Sequence, residues 1–347
     1  MSKRRWPLPF LKYSAAGNDF IILDARGGDP IGDPSSLAKA LCRRGRSVGA
    51  DGLIVIEASD AEAPAGSLAR MRLWNPDGSS AEISGNGARC VARFLVDHGA
   101  DPGSVTFATD VGMVSAQVTG DICRLQLPVL GSVFPNRRLR VEGRDLVGTY
   151  VEVGVPFFVC FHDDPDELAI RFLGRTIRNH AELAPRGANV DFVHVEDEQR
   201  LFFRVYERGV EAETLSSGTG SVSAALAAAA AGKVTSPVVC VTRGAELTVR
   251  FRRAGETLAN ADPGTDVPPG EPAASASESR VAEPSANTPP GEAAEEQDAA
   301  GSPELPPLVA EAGPDDRIEF VDVEIEGDAM PIYSGEATVQ ASRSPRR

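Results

Sequence analysis

Apolar positions along the chain fall mostly into short runs, many of them alternating with polar residues and nearly all bounded by Gly, Asp, Asn or Pro. That pattern is the one β-strands write. DFIILDA, LIVIEA, MRLWN, SVTFAT, MVSAQVT, CRLQLPV, YVEVGVPFFVCF, VDFVHVED and LFFRVYERG all read as strands, and VVCVTRGAELTVRFRR reads as strand, turn, strand. Helical spacing is rarer. DPSSLAKALCRRG opens on Asp-Pro and closes on Gly, as a capped helix does. GARCVARFLVDHG and GSVSAALAAAAAG are the two long apolar candidates, each ended by Gly. So few helices exclude a doubly wound parallel sheet.

The two apolar helices are introduced by nearly the same phrase. Ala81–Leu95 reads AEISGNGARCVARFL and Thr214–Ala228 reads TLSSGTGSVSAALAA. Ser84 and Ser217 stand 133 residues apart, each followed by Gly-x-Gly. The repetition predicts two similar halves, each a curled sheet around one apolar helix. A helix N-terminus offers free N–H donors and the positive end of the dipole. Gly-rich starts let an anion approach those donors closely. Gly85-Asn86-Gly87 and Gly218-Thr219-Gly220 would then grip one carboxylate from two sides, with Ser84 and Ser217 flanking the neighbouring carbon. The competing reading makes both serines ordinary helix N-caps.

Composition changes the picture at one place. The chain of 347 residues has a formal charge of −15, but the charge is concentrated. Residues 254–316 hold fourteen acidic residues against one basic, Arg280, a net of −13, along with 11 of the 26 prolines. The tract has too little apolar surface to offset its ordering entropy, so it is expected to be a disordered acidic insertion. It sits between two strand-like segments, and loop closure costs rise slowly with length. Its charge argues against a nucleic-acid partner. No apolar run reaches membrane-spanning length, and the N-terminal stretch lacks a signal-peptide pattern, so a cytoplasmic protein with no membrane partner is expected. Five cysteines without a C-x-x-C, and four histidines without metal-ligand spacing, argue against a disulfide framework or zinc site.

AAGNDFIILDA, VGADGLIVIE, WNPDGSSAEISGNGARCVARF, RGANVDFV and VYERGVEAETLSSGTGSVSAA occur in that order, with IYSGEATV near the end. Together they resemble the diaminopimelate epimerase family over nearly the whole chain outside the acidic tract. The resemblance implies an α+β fold of two pseudo-symmetric lobes, each a curled, mainly antiparallel, barrel-like sheet around a central helix. It places an N-terminal lobe at 1–127, completed by a returning strand at about 328–342. A C-terminal lobe follows at 128–253 with a further strand at 317–327, and 254–316 is the insertion. It implies an isomerase that needs no cofactor and no metal and turns LL-diaminopimelate to the meso form, a step of lysine biosynthesis.

The family mechanism uses two cysteines, one at each helix start, as base and acid on opposite faces of the α-carbon. At those positions stand Ser84 and Ser217. Cys90 lies further along the helix and reads as a small core residue. By the resemblance, Asn18, Asn75 and Asn189 hold the substrate, as do Gly85, Asn86, Gly218 and Thr219 at the helix starts. Glu207 and Arg208 bind its distal amino-acid end. The family's Gly-Asn-Pro-His phrase reads Gly154-Val155-Pro156-Phe157. Three functions stay open: an epimerase of diaminopimelate, a cofactor-free racemase or elimination enzyme on another amino acid, and a non-catalytic binding or scaffold protein. The partner expected is a small amino-acid substrate; a homodimer also stays open.

Replacing 258–314 with a short Gly/Ser linker should leave the melting temperature unchanged, as read by differential scanning calorimetry of both proteins. A large drop would show that the tract packs on the body.

Overall fold

The computed structural model describes residues 7–28, 31–59, 66–128, 131–255 and 317–338. The chain divides into two compact units, one of Met1–Ala254 with Glu304–Arg347 and one of Gly255–Pro303. Apart from Ala254 and Gly255, the acidic tract expected to be disordered lies outside the described residues. None of the described helices is long and apolar enough to cross a membrane.

The first half runs β1 (Leu8–Ala15), β2 (Asn18–Ala25), α1 (Pro34–Leu41), β3 (Gly52–Glu57), β4 (Arg70–Trp74), β5 (Ser80–Ala81), α2 (Gly85–Asp97), β6 (Val105–Thr109), β7 (Gly112–Thr119) and β8 (Ile122–Gln126). The second runs β9 (Gly131–Val141), β10 (Arg144–Glu152), β11 (Pro156–Phe161), α3 (Ile170–Arg178), β12 (Asn189–Asp197), β13 (Arg200–Glu207), β14 (Ala212–Thr214), α4 (Gly218–Ala230), β15 (Val238–Val241), β16 (Glu246–Arg253) and β17 (Ile318–Asp328). Last comes β18 (Met330–Ala337), which pairs antiparallel with β1.

The halves share one wiring. A hairpin (β1–β2, β10–β11) leads into a parallel pair bridged by an outer helix, β2 with β3 across α1 and β11 with β12 across α3. A second hairpin follows (β3–β4, β12–β13), and then a second parallel pair, β4 with β6 and β13 with β15. The crossover of that second pair is the central helix, α2 or α4. In the second half β17 pairs with both β16 and β9, so the sheet closes on itself, and α4 touches every strand of the ring. In the first half β8 pairs with β17 instead, and the sheet's two ends are joined covalently through Ala329.

Burial explains the choice of residues. Helix α4 is apolar on all sides, and everything from Ser221 to Ala228 is buried, as expected of a helix enclosed by a sheet. Its small side chains let the barrel close tightly around it. Helix α2 buries Cys90, Val91, Ala92, Phe94 and Leu95 among strand residues such as Phe107, Val114 and Leu125. Outer layers complete each half: Leu37, Ala38 and Leu41 of α1 pack on Ile21, Leu23 and Leu53, and Ile170, Leu173 and Ile177 of α3 pack on Phe158, Val190 and Tyr206.

Two sequence expectations need correction. YVEVGVPFFVCF is not one strand: it breaks at Val153–Val155 into β10 and β11, which pair antiparallel. Gly154, at φ +81°, makes the turn. Helix α3 went unread. Only three of its apolar side chains, Ile170, Leu173 and Ile177, are buried, among arginines, and Gly174 weakens the helical signal. The glycine is needed because a Cβ there would lie 2.5 Å from the Tyr206 side chain.

One buried polar group stands out. Asp191 of β12 points into the second barrel, where the Ser223 hydroxyl of α4 donates to its Oδ2 at 2.6 Å; Oδ1 has no partner among the described residues. Desolvation raises its carboxyl well above the ordinary aspartate range, with Ser223 opposing more weakly. The folded chain therefore keeps a proton that the unfolded chain loses above about pH 4. Stability from this group is full below that pH and falls as pH rises toward the folded-state pKa, by at most about 1.4 kcal/mol per pH unit. Urea unfolding at stepped pH should show this decline in the wild type and its absence in Asp191→Asn. Parallel curves for the two proteins would contradict the assignment.

Candidate active site

Helices α2 and α4 begin head to head. A Cβ built on Gly218 would lie 3.3 Å from the Cα of Gly85 and 3.2 Å from Asn86 Oδ1; one built on Gly85 would lie 3.5 Å from the Cα of Gly218. Glycine at both positions lets the two backbones come this close without a side chain between them. Ser84 and Ser217 sit in extended conformation just before the helices, and each Oγ accepts the N–H three residues on, from Gly87 and Gly220, at 3.1 Å. Both serines are thus N-caps. The capping leaves the N–H groups of Gly85, Asn86, Gly218 and Thr219 without an acceptor among the described residues.

These four donors open on a cleft of 870 Å³. All the residues named from the sequence line it: Asn18, Asn75, Ser84, Gly85, Asn86, Asn189, Glu207, Arg208, Ser217, Gly218 and Thr219. Their present partners differ. Asn86 is buried between the two helix starts. Asn18 donates from Nδ2 to Asp51 Oδ2 at 2.7 Å, and Asn75 donates to Ser79 Oγ at 3.0 Å. Asn189 is tied into the sheet, donating to the Pro156 carbonyl at 3.2 Å and accepting the Arg208 N–H at 2.8 Å. The Arg208 side chain reaches only the Arg186 carbonyl, at 3.4 Å, which leaves its charge free of carboxylates among the described residues.

Val155 lines the cleft beside Asn189, whereas Phe157 is buried in the core and does not reach it. Two exposed apolar side chains, Val210 and Leu215 at 56% and 66%, also line the cleft. Sequence reading did not single out Asp51 and Arg44 at the rim. Arg44 pairs with Asp51 at 2.7 Å and with Asp19, and Lys12 adds a second contact to Asp19 at 2.8 Å. Burial pushes the Asp19 carboxyl up, but the Arg44 and Lys12 contacts together outweigh it and leave it at about 2. The signal was ordinary, a scatter of charges in a loop, and only the fold gathers them.

Glu207 lines the cleft within hydrogen-bond reach of Ser217. Desolvation raises its carboxyl above the ordinary glutamate range, while the Ser217 and Thr214 hydroxyls pull it back down. All five cysteines are buried and free, and none lines the cleft. Burial pushes the Cys42 thiol up to about 12 and Cys123 to about 11, and raises Cys90, Cys160 and Cys240 further. No thiolate is therefore poised at this site. Among the described residues no three His, Cys, Asp or Glu side chains gather as metal ligands. The site can hold a carboxylate at the four free N–H groups and move a proton through Glu207 or the serines.

The family model described as diaminopimelate epimerase matches residues 10–125 and 149–265. Curated relatives include the diaminopimelate epimerase of Aquifex aeolicus, 35% identical over 254 residues, covering 70% of this chain and 90% of that protein. That of Hydrogenobaculum sp. is 37% identical over 247 residues, covering 68% and 88%. Among solved structures, a probable proline racemase from Agrobacterium radiobacter with bound carbonate superposes with a TM-score of 0.62 at 14% identity, covering 96% of this chain and 93% of that one. A phenazine biosynthesis protein of the PhzF family from Bacillus anthracis superposes at 0.59 and 13%, covering 96% and 99%. These two likenesses concern the fold.

Ser84→Ala and Ser217→Ala should each cost about 1 kcal/mol of stability, the usual loss of an N-cap, measured by chemical denaturation. A variant as stable as the wild type would show that its hydroxyl does not cap.

Proposed function

Because the chain belongs to the diaminopimelate epimerase family, we propose that it is an isomerase that takes an amino acid by its α-carboxylate and moves the α-proton, with diaminopimelate, LL to meso, as the leading substrate. The observation that carries this reading is the meeting of two helix N-termini, each with unpaired N–H groups, in one cleft flanked by Ser84 and Ser217. Charge that builds on the carboxylate as the α-proton leaves would be stabilised by those donors and by the two dipoles. Arg208, with no carboxylate partner among the described residues, suits the carboxylate of a second amino-acid group.

The proton-moving groups are unequal. A serine hydroxyl ionises far above neutral pH, so neither Ser84 nor Ser217 is an efficient base on its own. Glu207 lies against Ser217, and burial raises its carboxyl, which makes it a stronger base than an ordinary glutamate. Among the described residues no carboxylate hydrogen-bonds Ser84, whose Oγ is engaged by the Gly87 N–H. This asymmetry favours a second reading, a cofactor-free reaction that needs one base, such as an elimination, on a related amino acid. It also makes proton exchange easier than inversion on diaminopimelate.

The test is solvent deuterium incorporation and stereoinversion, followed by NMR and chiral chromatography on diaminopimelate and a panel of amino acids. The wild type should exchange slowly and invert poorly. Ser84→Cys/Ser217→Cys should invert diaminopimelate at least about 100-fold faster, since a thiol at a helix start ionises readily. Fast inversion by the wild type would refute the account of the serines. No exchange by either protein on any member of the panel would refute the enzyme reading and leave a binding protein.

A further inference from the structure

Arg89 belongs to α2, one turn inside the helix from the start, and is wholly buried at 0% exposure. An arginine in the core is ordinarily paired with a carboxylate. This one has no ion pair among the described residues. Its Nε donates to the Asp328 carbonyl at 3.1 Å and its Nη2 to Asn86 Oδ1 at 2.8 Å, while Nη1 has no acceptor. The guanidinium lies against Gly327 of β17, where a Cβ would come within 3.3 Å of its Cζ. Unpaired buried charge destabilises a fold, so its place here calls for another role.

Its hydrogen bonds have a direction. A guanidinium can only donate, so the Asn86 amide must turn its oxygen inward to Arg89. The Asn86 Nδ2 then faces Asn18, donating to its Oδ1 at 3.4 Å. Asn18 must in turn present its Nδ2 to Asp51, a group that as a carboxylate can only accept, at 2.7 Å. A donor-only group at one end and an acceptor-only group at the other give the chain Arg89–Asn86–Asn18–Asp51 a single polarity. Each of the two amides is left with one further N–H, and both residues line the cleft.

We propose that Arg89 is the positioning residue of the carboxylate site: by fixing Asn86, and through it Asn18, it turns amide donors rather than amide oxygens toward the ligand. The proposal rests on the functional reading above and deepens it. With the polarity reversed, two carbonyl oxygens would face the place where an anionic group binds. The fixed polarity adds side-chain donors to the backbone N–H groups of Gly85 and Gly218, and it selects for carboxylate over amide or amine at that end.

The test is a thermodynamic cycle on ligand binding. Diaminopimelate affinity is measured by calorimetry for wild type, Arg89→Met, Asn86→Ala and the double variant, alongside melting temperatures. Acting through Asn86, Arg89→Met should weaken binding at least tenfold. Asn86→Ala should do likewise, and the double variant should lose no more than the larger single loss. If Arg89→Met does not fold, Arg89→Lys takes its place, since it keeps the charge and loses the fork. Affinity within twofold of wild type, whatever the melting temperature, would reduce Arg89 to a structural residue and overturn the proposal. Single losses that multiply in the double variant would also overturn it. Wild-type protein that ignores diaminopimelate but binds another amino acid refutes the substrate alone, and the cycle is then run with that ligand. Wild-type protein that binds no amino acid refutes both readings.

Discussion

Two helix N-termini brought face to face repel, because each carries about half a positive charge and unpaired N–H groups. In this protein α2 and α4 are held in that arrangement, with Gly85 and Gly218 facing each other so closely that a Cβ on either would touch the other's Cα. Much of the architecture follows from the need to hold them. Each helix is wrapped by its own curled sheet, and the two sheets share β17, which pairs with β8 on one side and with β9 and β16 on the other. Hydrophobic burial along α2 and α4 is large, since nearly every residue of both is enclosed. That burial outweighs the repulsion between two dipole ends, which is on the order of 1 kcal/mol. An anion bound there would relieve the repulsion that remains.

The serines and Glu207 then determine how such a site can act on its ligand. Ser84 and Ser217 are engaged as caps, each accepting one helix N–H, and a hydroxyl that accepts can still donate. The two faces of the site are not alike, because a carboxyl raised by burial, Glu207, bonds Ser217, whereas no carboxylate bonds Ser84 among the described residues. Pseudo-symmetry of the fold thus supports an asymmetric set of proton carriers. A pair of amides fixed by Arg89 adds a further asymmetry, since Asn86 precedes the first helix's cap partner while Thr219 occupies the matching place in the second.

Much of this was legible in the sequence, for physical reasons. The strands announced themselves by alternation, and the two central helices by length and apolar content. Because the Ser-Gly-x-Gly phrase was written twice, the paired helix starts were visible before any coordinates. Helix α3 was not visible, because its buried stripe is three residues wide and its Gly174 is there to admit Tyr206. The β10–β11 turn was hidden inside a continuous apolar run. At the site, the residues that lie within motifs were found, and those that depend on tertiary contact were not. Arg89 sat in plain view within an apolar helix, but its meaning depends on the carbonyl of Asp328, 239 residues away. Asp51 and Arg44 likewise gain their place only when β2 and β3 pair.

In the proposed site a single carboxylate is shared by both helix starts. Backbone amide NMR reads this directly. On titration with diaminopimelate, the N–H resonances of Gly85, Asn86, Gly218 and Thr219 should move downfield together and fit one dissociation constant. Movement at one helix start only, or at the two with different dissociation constants, would contradict the shared site.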